Sequence, residues 1–449
     1  MEIVKVPNRA PGFSKNFRHR VEFVPPKSAP KKNQAGEWSG ALKSLEFIKA
    51  NGALPEGFSH RRFFDTLTTS VGAKIVSEHQ GRIEKMLIAV PYYAAQVAEI
   101  HARHYAALFK GIGAACTFVI VCHPEHKEEM EAIATASGVV VNRIEFVYSP
   151  QFDYTIWAQD AYVALNDSAG TEILLEGVCF PRGDDMTIAD DVAAQSAIAC
   201  LQSYLYFQGG NVLGSQDLTL IGMDYVMRNV NRYGLETVSA VVDRFAEAFG
   251  TEVLPLGAEL FEHENWYQAE ILSGYGYQPI FHIDMYVTPT GVVGKSGKEI
   301  VFLGRPEAAK KVVGRYSDIG ELNNSKYNDM FDATEKILAT RFEVRYLPLW
   351  ITRGRLGRSN FPERYYNLTF NNCIVESSTH GKSVLLPTYS SDSDILGTDQ
   401  SVREALEAAA IAQWTNIGFK VNLMDAVEDL AYASGAVHCI TKTLKRSAA

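Results

Sequence analysis

The sequence lacks the features that mark membrane, secreted and nucleic-acid-binding proteins. No apolar run approaches the ~20 residues that a membrane helix needs, and residues 1–20 hold no apolar stretch typical of a signal peptide. Positive charge is not in excess, because 43 Lys and Arg face 52 Asp and Glu, for a net charge of −9. A phosphate-backbone partner is therefore disfavoured. We expect a cytoplasmic protein with neither a nucleic acid nor a membrane as partner.

Cysteine is also scarce, with six in 449 residues, which is too few for a disulfide framework. We therefore expect free thiols in a reducing cytosol. A metallohydrolase is disfavoured, because CHPEH (122–126) and the pair His101 and His104 match no common zinc spacing. The segment GIGAAC (111–116) precedes its strand and so is not a dinucleotide fingerprint. We expect neither a metal nor an organic cofactor.

Residues 1–84 differ in composition from the rest of the chain. A basic stretch that contains Pro and Lys (23–38) is followed by a predicted helix at about 40–51. We interpret residues 1–84 as an N-terminal extension or accessory element, and residues 85–449 as the domain that carries the function.

From Lys85 onward one pattern recurs five times: an apolar strand, a turn, a second strand or loop, an amphipathic helix and a returning strand. In the second of these units, the segment 190–202 is predicted to be a helix and 204–208 a strand. Short apolar strands that alternate with helices indicate an α/β fold. Five units of about 60–85 residues indicate a repeat architecture in which each unit packs against its neighbours.

The segment SGAVHCITKT (434–443) places His438 beside Cys439 after three small residues. Adjacent residues of a strand point to opposite faces, so His438 is not expected to act as the base for a Cys439 nucleophile. The proton partner of such a nucleophile has to come from elsewhere in the fold. The alternative is that Cys439 is a small buried hydrophobic residue, as most free cysteines are.

Two further segments carry acidic residues among apolar ones. In FHIDMY (281–286), His282 and Asp284 share one face of a strand, which suits a general acid–base with a carboxylate that holds a cation. In YTIWAQDAY (154–162), Asp160 interrupts an aromatic strand. A carboxylate there costs free energy unless it is paired or awaits a cationic ligand. The alternatives are a chance His-x-Asp pair and an exposed turn aspartate.

The segment FQGGNVL (207–213) places Gly209, Gly210 and Asn211 at the boundary of the second and third units. A glycine pair inside a strand pattern indicates a close approach of backbone or a bulge. The alternative is a tight turn with no further role.

These motifs, taken in their order along the chain, resemble the guanidine-modifying (pentein) superfamily. The order is Trp-x-x-Asp at 157–160, Gly-Gly-Asn at 209–211, His-x-Asp at 282–284 and Gly-x-x-His-Cys-x-Thr at 435–441. That superfamily includes arginine, agmatine and peptidyl-arginine deiminases, dimethylarginine hydrolases and amidinotransferases. The form WAQD looks closer to peptidyl-arginine deiminases than to agmatine deiminases, whose form is Trp-x-Arg-Asp.

The resemblance implies a five-bladed, pseudo-symmetric α/β propeller that converts an arginine-like substrate to a ureido product and ammonia. It implies that Cys439 is the nucleophile and His282 the general acid–base, and that Asp160 and Asp284 hold the guanidinium. The substrate would be a small guanidino compound or an arginine-containing peptide. The residues expected to line the substrate site are Trp157, Gln159, Gly210, Asn211, Arg353 and Arg355.

The sequence departs from the family pattern at Gln208, where many relatives carry an acidic residue, and at Gln159. Arg353 and Arg355 lie in a basic loop that is either a substrate-binding element or a solvated surface. Two alternatives to a hydrolase stay open. One is an amidinotransferase that passes the amidino group to an amine, and the other is a propeller that binds guanidines without turning them over.

Overall fold

The structure is a computed structural model. It describes residues 62–64, 72–91, 98–113, 115–149, 151, 154–177, 183–215, 217–233, 237–257, 278–317, 321–354, 364–389, 398–424 and 427–447. The helix predicted at 40–51 and the basic stretch at 23–38 lie outside these residues.

The described elements are mixed α and β, as expected. The strands are β1 Arg62–Phe64, β2 Lys74–Ile75, β3 Ile83–Val90, β4 Thr117–Cys122, β5 Ile144–Tyr148, β6 Tyr162–Asn166, β7 Glu172–Glu176, β8 Ala199–Ser203, β9 Val212–Ser215, β10 Leu218–Gly222, β11 Glu252–Leu256, β12 Val287–Val293, β13 Glu299–Arg305, β14 Glu343–Gly354, β15 Arg364–Thr369, β16 Ile374–Ser378, β17 Gly381–Pro387, β18 Lys420–Met424 and β19 Thr441–Arg446. The helices are α1 Ala98–Ile112, α2 Lys127–Ala136, α3 Thr187–Gln195, α4 Met223–Tyr233, α5 Val238–Phe249, α6 Pro306–Val313, α7 Glu321–Ala339, α8 Gln400–Asn416 and α9 Glu428–Tyr432.

The strands form five sheets, which we number from the sheet that contains β6 to the sheet that contains β3 and β19. Their strand orders are β1-β8-β7-β6-β2 (sheet I), β11-β10-β9 (sheet II), β12-β13-β14-β15 (sheet III), β16-β17-β18 (sheet IV) and β19-β3-β4-β5 (sheet V). Each sheet contains an antiparallel pair and a third strand that pairs in parallel after a helical crossover. The helix is needed because a parallel connection must return the chain to the starting end of the sheet.

Two details of this topology depart from the linear order of the sequence. In sheet V the last described strand, β19, pairs antiparallel with β3, so segments from near the two ends of the predicted domain meet in one sheet. In sheet I, strands from before Lys85 contribute at the edges, with β1 parallel to β8 and β2 antiparallel to β6.

Helix α5 illustrates how local sequence forms these crossovers. The Thr237 hydroxyl accepts a hydrogen bond from Ala240 N at the first turn, and Gly250 ends the helix with a left-handed φ of 68°. The spacing of Val241, Phe245 and Phe249 places one apolar stripe on the face that packs into the core.

The predicted helix at 190–202 is wrong beyond its first part. Helix α3 ends at Gln195, and the residues after it form β8 between β1 and β7. The segment 204–208, predicted to be a strand, has no strand structure. Pairing with β7 buries Cys200 and Leu201 as strand residues. This burial stabilises the strand more than the local helical pattern stabilises a helix.

None of the described helices combines the length and the hydropathy that a membrane-spanning segment requires.

Candidate active site

The candidate site is built from five short turns, each just before one strand of the antiparallel pair in its sheet, namely β6, β9, β12, β16 and β19. From sheet I to sheet V these are residues 157–161, 208–211, 282–286, 370–372 and 438–440. Three of them contain a single turn of 3₁₀ helix, at Gly209–Asn211, Ile283–Met285 and His438–Ile440. We call them the five turns.

Hydrogen bonds join the five turns in a closed circuit. The bonds are Gly209 N to Asp160 O (2.8 Å), Ile283 N to Asn211 Oδ1 (3.0 Å), Asn372 Nδ2 to Asp284 O (3.5 Å), Cys439 N to Asn372 Oδ1 (3.2 Å) and Gln159 N to Cys439 O (3.2 Å). The fifth turn therefore bonds back to the first. This circuit brings Cys439, His282, Asp160 and Asp284 into one buried site from positions up to 279 residues apart in the sequence.

Cys439 is fully buried, and its thiol contacts an amide and a carboxylate. Asn372 Nδ2 donates to Sγ over 3.1 Å, and Sγ lies 3.5 Å from Asp284 Oδ2. The same asparagine accepts from the Cys439 backbone N–H, so its amide holds both the backbone and the sulfur of this residue. A donor aimed at sulfur stabilises the thiolate, which is the nucleophilic form of cysteine.

The prediction that His438 points away from this site is wrong. His438 lies in a 3₁₀ turn rather than in a strand, so the alternation of strand side chains does not apply. Its Nδ1 lies 3.0 Å from Asp284 Oδ2, the same oxygen that contacts Cys439, and its Nε2 lies 3.1 Å from Glu78 Oε2. Burial by itself lowers the pKa of His438, but the charge of Glu78 and the hydrogen bonds to Asp284 and Glu78 outweigh it and raise that pKa to about 9.

His282 is held on both sides of its ring. Nδ1 lies 3.6 Å from Asp160 Oδ1, while Nε2 lies 3.0 Å from Gln208 Oε1 and 3.1 Å from the hydroxyl of Tyr225. Gln208 therefore orients the histidine through a neutral amide, and Tyr225 adds a second neutral partner. A histidine fixed in this way suits a general acid–base.

The glycine pair lies where backbone must pass close to the site. A Cβ on Gly210 would lie 2.4 Å from His282 Nδ1 and 2.8 Å from Asp160 Oδ1, and a Cβ on Gly209 would lie 2.0 Å from Gln159 O. All three distances are shorter than real Cβ contacts, so any residue other than glycine at these two positions would force its neighbours to move.

Asn211 joins the second turn to the third. Its Oδ1 accepts from Ile283 N and from Gln278 Nε2, both over 3.0 Å, and its Nδ2 donates to Asp224 Oδ1 over 2.7 Å. The Asn211 amide is therefore engaged with protein groups at both ends.

Trp157 and Gln159 are buried parts of the first turn. A Cβ on Gly435 would lie 2.3 Å from the Trp157 ring, so this indole packs directly against the segment before Cys439. The Gln159 amide, oriented to donate to Thr441 O over 2.8 Å, places its oxygen 3.2 Å from Lys442 Nζ.

Lys442 is a buried cation beside this site, only 3% exposed. Burial lowers the pKa of its amine, while the charges of Glu78, Asp160 and Asp284 oppose that shift. The three carboxylates thus face two basic residues, His438 and Lys442, and all of these groups except the partly exposed Glu78 are buried.

The described part of the structure does not show either of the two arginines predicted for the substrate site at that site. Arg353 lies at the exposed end of β14, with its guanidinium 5.6 Å from the centre of the Tyr365 ring. Arg355 lies outside the described residues.

Potential metal ligands come together away from this site, at Glu176, Asp190 and Cys200. Their ligand atoms lie within 4.8 Å of one another, and this is the one such group among the residues the structure describes.

Sequence reasoning missed Glu78, Tyr225, Asn372 and Lys442. Of these, Asn372 carries a usable signal, because the pair Asn371 and Asn372 follows an apolar strand at a unit boundary, as Gly-Gly-Asn does. The other three come from strand, helix and loop segments with no pattern that distinguishes them from surface residues.

Comparison with known proteins supports the fold. No protein-family model and no curated protein sequence matches the chain. Among solved structures, the agmatine deiminase of C. jejuni matches with a TM-score of 0.56 and 13% identity, over 83% of this chain and 97% of that one. A protein provisionally described as an agmatine deiminase matches with a TM-score of 0.58 and 13% identity, over 86% of this chain and 99% of that one. At 13% identity the comparison shows the fold alone, which this chain shares with both structures.

Proposed function

We propose that this chain, which has the pentein fold, is a guanidino-group hydrolase that acts through a covalent Cys439 intermediate. The observation that carries the proposal is the contact of Cys439 Sγ with both Asn372 and Asp284, in the same buried circuit as Asp160 and His282. A thiol, a buried histidine and two carboxylates in one closed space are the groups that this reaction requires.

The two aspartates suit a guanidinium. That cation is planar and carries its N–H donors in a fork, which carboxylates accept in pairs. In the proposed mechanism Asp160 and Asp284 hold the substrate with its central carbon toward Cys439 Sγ and keep positive charge on that carbon. The neighbouring Lys442 and His438 offset part of the negative charge of the aspartates when no substrate is bound.

The reaction proceeds in two halves. The Cys439 thiolate attacks the guanidinium carbon and forms a C–S bond, His282 as imidazolium protonates one substrate nitrogen, and ammonia departs as the C–N bond breaks. An S-alkylthiouronium remains on Cys439. His282, now neutral, takes a proton from water as the water oxygen attacks the same carbon. The C–S bond then breaks and the thiolate is restored, and the ureido product leaves once its oxygen has released the second proton of the water to solvent.

A product assay tests this function. Purified protein is incubated with arginine, agmatine, N-substituted arginines and an arginine-containing peptide, and ureido product and ammonia are measured. We expect turnover with at least one compound, and loss of turnover in Cys439→Ala. Cys373→Ala is a matched control, because Cys373 is a buried free thiol that adjoins Asn372 in the sequence and is expected to be dispensable.

Three results would contradict the proposal. Undiminished turnover in Cys439→Ala would remove the nucleophile. Appearance of an amidino group on added glycine, in place of a ureido product, would make the protein an amidinotransferase. Binding of a guanidino compound by calorimetry, with no product from any compound, would make it a non-catalytic binding protein.

We also propose that the five sheets are the blades of a propeller around the site. Support comes from the closed hydrogen-bond circuit and from the bond between Asn166 Nδ2 and Leu444 O, which joins sheet I to sheet V over 3.1 Å. Cross-linking with mass spectrometry tests the arrangement: cross-links between sheets I and V are expected, and their absence among otherwise abundant neighbour cross-links would contradict it.

A further inference from the structure

A short segment before β3 contacts all five sheets. We call residues 76–82 the strap. Its contacts, taken from sheet I to sheet V, are Val76 N to Ala164 O (2.9 Å), Glu78 N to Gly214 O (2.9 Å), His79 Nε2 to Glu299 Oε1 (2.8 Å), Ser377 N to His79 O (2.8 Å) and Arg446 Nη2 to Glu78 O (2.6 Å). These contacts fix the position of the strap backbone from every side, so that its side chains are held in place.

The strap directs one carboxylate into the candidate site. Glu78 Oε2 lies 3.1 Å from His438 Nε2, and His438 Nδ1 lies 3.0 Å from Asp284 Oδ2. A carboxylate only accepts hydrogen bonds, so a ring that bonds two carboxylates must donate from both nitrogens. The geometry therefore requires His438 to be an imidazolium held between Glu78 and Asp284.

Other charges around this trio act in the same direction. Glu78 also faces Lys442 and Arg446, and Lys442 faces Asp160 and Asp284. Burial raises the pKa of Glu78, but the charge and hydrogen bond of His438, with smaller effects of Lys442 and Arg446, outweigh it and lower that pKa to about 2. Glu78 thus stays ionised at neutral pH and keeps its charge beside His438.

We propose that Glu78 is a positioning residue, which holds His438 in its doubly donating form and thereby fixes the Asp284 carboxylate for guanidinium binding beside Cys439. The proposal rests on the proposed function, because it assigns a partner to the carboxylate that would hold the substrate. His438 and Cys439 both contact Oδ2 of Asp284, so the orientation of that carboxylate depends on the proton at His438 Nδ1. Without Glu78, the ring has one anionic partner instead of two, so the imidazolium becomes neutral at lower pH and the bond from Nδ1 to Asp284 loses its charge assistance.

The strap offers a matched pair of variants. Glu78→Gln removes the charge that faces His438. Glu299→Gln makes the same change in another partly buried carboxylate, one that contacts the neighbouring strap histidine, His79, and no residue of the proposed mechanism. Both variants keep the shape of the side chain, and both change a Glu–His contact of the strap.

Two measurements separate positioning from a structural role. In the full-length protein with labelled histidines, NMR titration is expected to show His438 protonated above pH 8, and Glu78→Gln is expected to lower its midpoint by at least one pH unit. The His438 resonance is assigned by its absence from His438→Gln. In kinetics, kcat/KM of Glu78→Gln is expected to fall about tenfold or more, with the alkaline limb of the pH profile moved to lower pH. Glu299→Gln is expected to change neither result.

These measurements distinguish a failure of the positioning role from a failure of the proposed function. If wild type turns over no guanidino compound but the titrations differ as expected, the function fails and the coupling of Glu78 to His438 stands. If wild type is active and Glu78→Gln keeps the wild-type kcat/KM and pH profile, the function stands and the positioning role is overturned. A wild-type His438 that is neutral at pH 7 overturns the inference without any variant.

Discussion

The amide of Asn372 is the most direct support that the structure gives to the Cys439 sulfur. The substitution Asn372→Asp replaces one NH₂ group by an oxygen and changes the shape of the side chain very little. The remaining oxygen still accepts from Cys439 N, so the backbone contact of 3.2 Å is kept. The donor that lies 3.1 Å from Sγ is replaced by an acceptor.

The size of the effect follows from that distance. A hydrogen bond to a charged group contributes about 1.5–3 kcal/mol, and its loss alone lowers the thiolate population about 10- to 150-fold. A carboxylate at the same place would repel the thiolate by about 5 kcal/mol at an effective dielectric constant of about 20. Because the new carboxyl escapes part of this repulsion by taking up a proton, we expect kcat/KM to fall by about two to three orders of magnitude.

Alkylation kinetics provide the assay. The rate at which iodoacetamide modifies Cys439 is measured against pH by mass spectrometry of the peptide that contains it. We expect Asn372→Asp to move the alkylation midpoint to higher pH and to slow alkylation at pH 7 at least tenfold. Asn371→Asp is the matched control, because Asn371 bonds Thr288 Oγ1 and Phe302 O and makes no contact with Cys439. A folded Asn372→Asp protein with wild-type alkylation rate and activity would refute the reasoning.

Three further predictions concern neighbouring residues. Gly210→Ala forces a Cβ to 2.4 Å from His282 Nδ1; we expect a lower melting temperature and near-complete loss of turnover, and wild-type values of both would contradict the contact. Tyr225→Phe removes a hydroxyl that lies 3.1 Å from His282 Nε2; we expect a several-fold fall in kcat/KM, as for the loss of about 1 kcal/mol, and a larger effect on KM than on kcat would count against a role through His282. Because the pKa of His438 is raised from 6.5 to about 9 in the folded protein, it contributes about 3 kcal/mol of stability that is present below pH 6.5 and lost as pH rises through 9. Urea unfolding at pH 6.5 and 9.5 should show this loss in wild type and a smaller one in Glu78→Gln, and equal losses would contradict the assignment.

Much of the fold could be predicted from the sequence because its signals are local. Apolar strands, amphipathic crossovers such as α5 and the unit boundaries all arise from periodicity and capping within a few turns of chain. The errors occur where pairing with a strand that is distant in the sequence determines the secondary structure. Residues 199–203 carry a helical pattern but form β8, because they complete sheet I beside β7. The pairing of β19 with β3 joins segments that the linear pattern treats as the end and the beginning.

The candidate site was also proposed from the sequence. Cys439, His282, Asp160 and Asp284 are single residues in motifs whose order along the chain indicates guanidine chemistry. The motifs single out these residues because the proposed reaction needs a thiol, a proton carrier and anionic groups, and each of these is a property of one side chain. The resemblance to the pentein superfamily rests on them, and the fold agrees with it.

Only the tertiary structure decided which groups support those residues. His438 faces Asp284 because residues 438–440 form a 3₁₀ turn, and no strand pattern predicts that direction. Glu78 reaches the site because the strap contacts all five sheets, although its sequence, SEHQ, resembles any polar loop. Asn372 and Tyr225 contact Cys439 and His282 only because the fold brings them close in space. The spacing of residues along the sequence does not reveal such contacts. The residues proposed to react can therefore be recognised in the sequence, whereas their protonation and orientation depend on the folded surroundings.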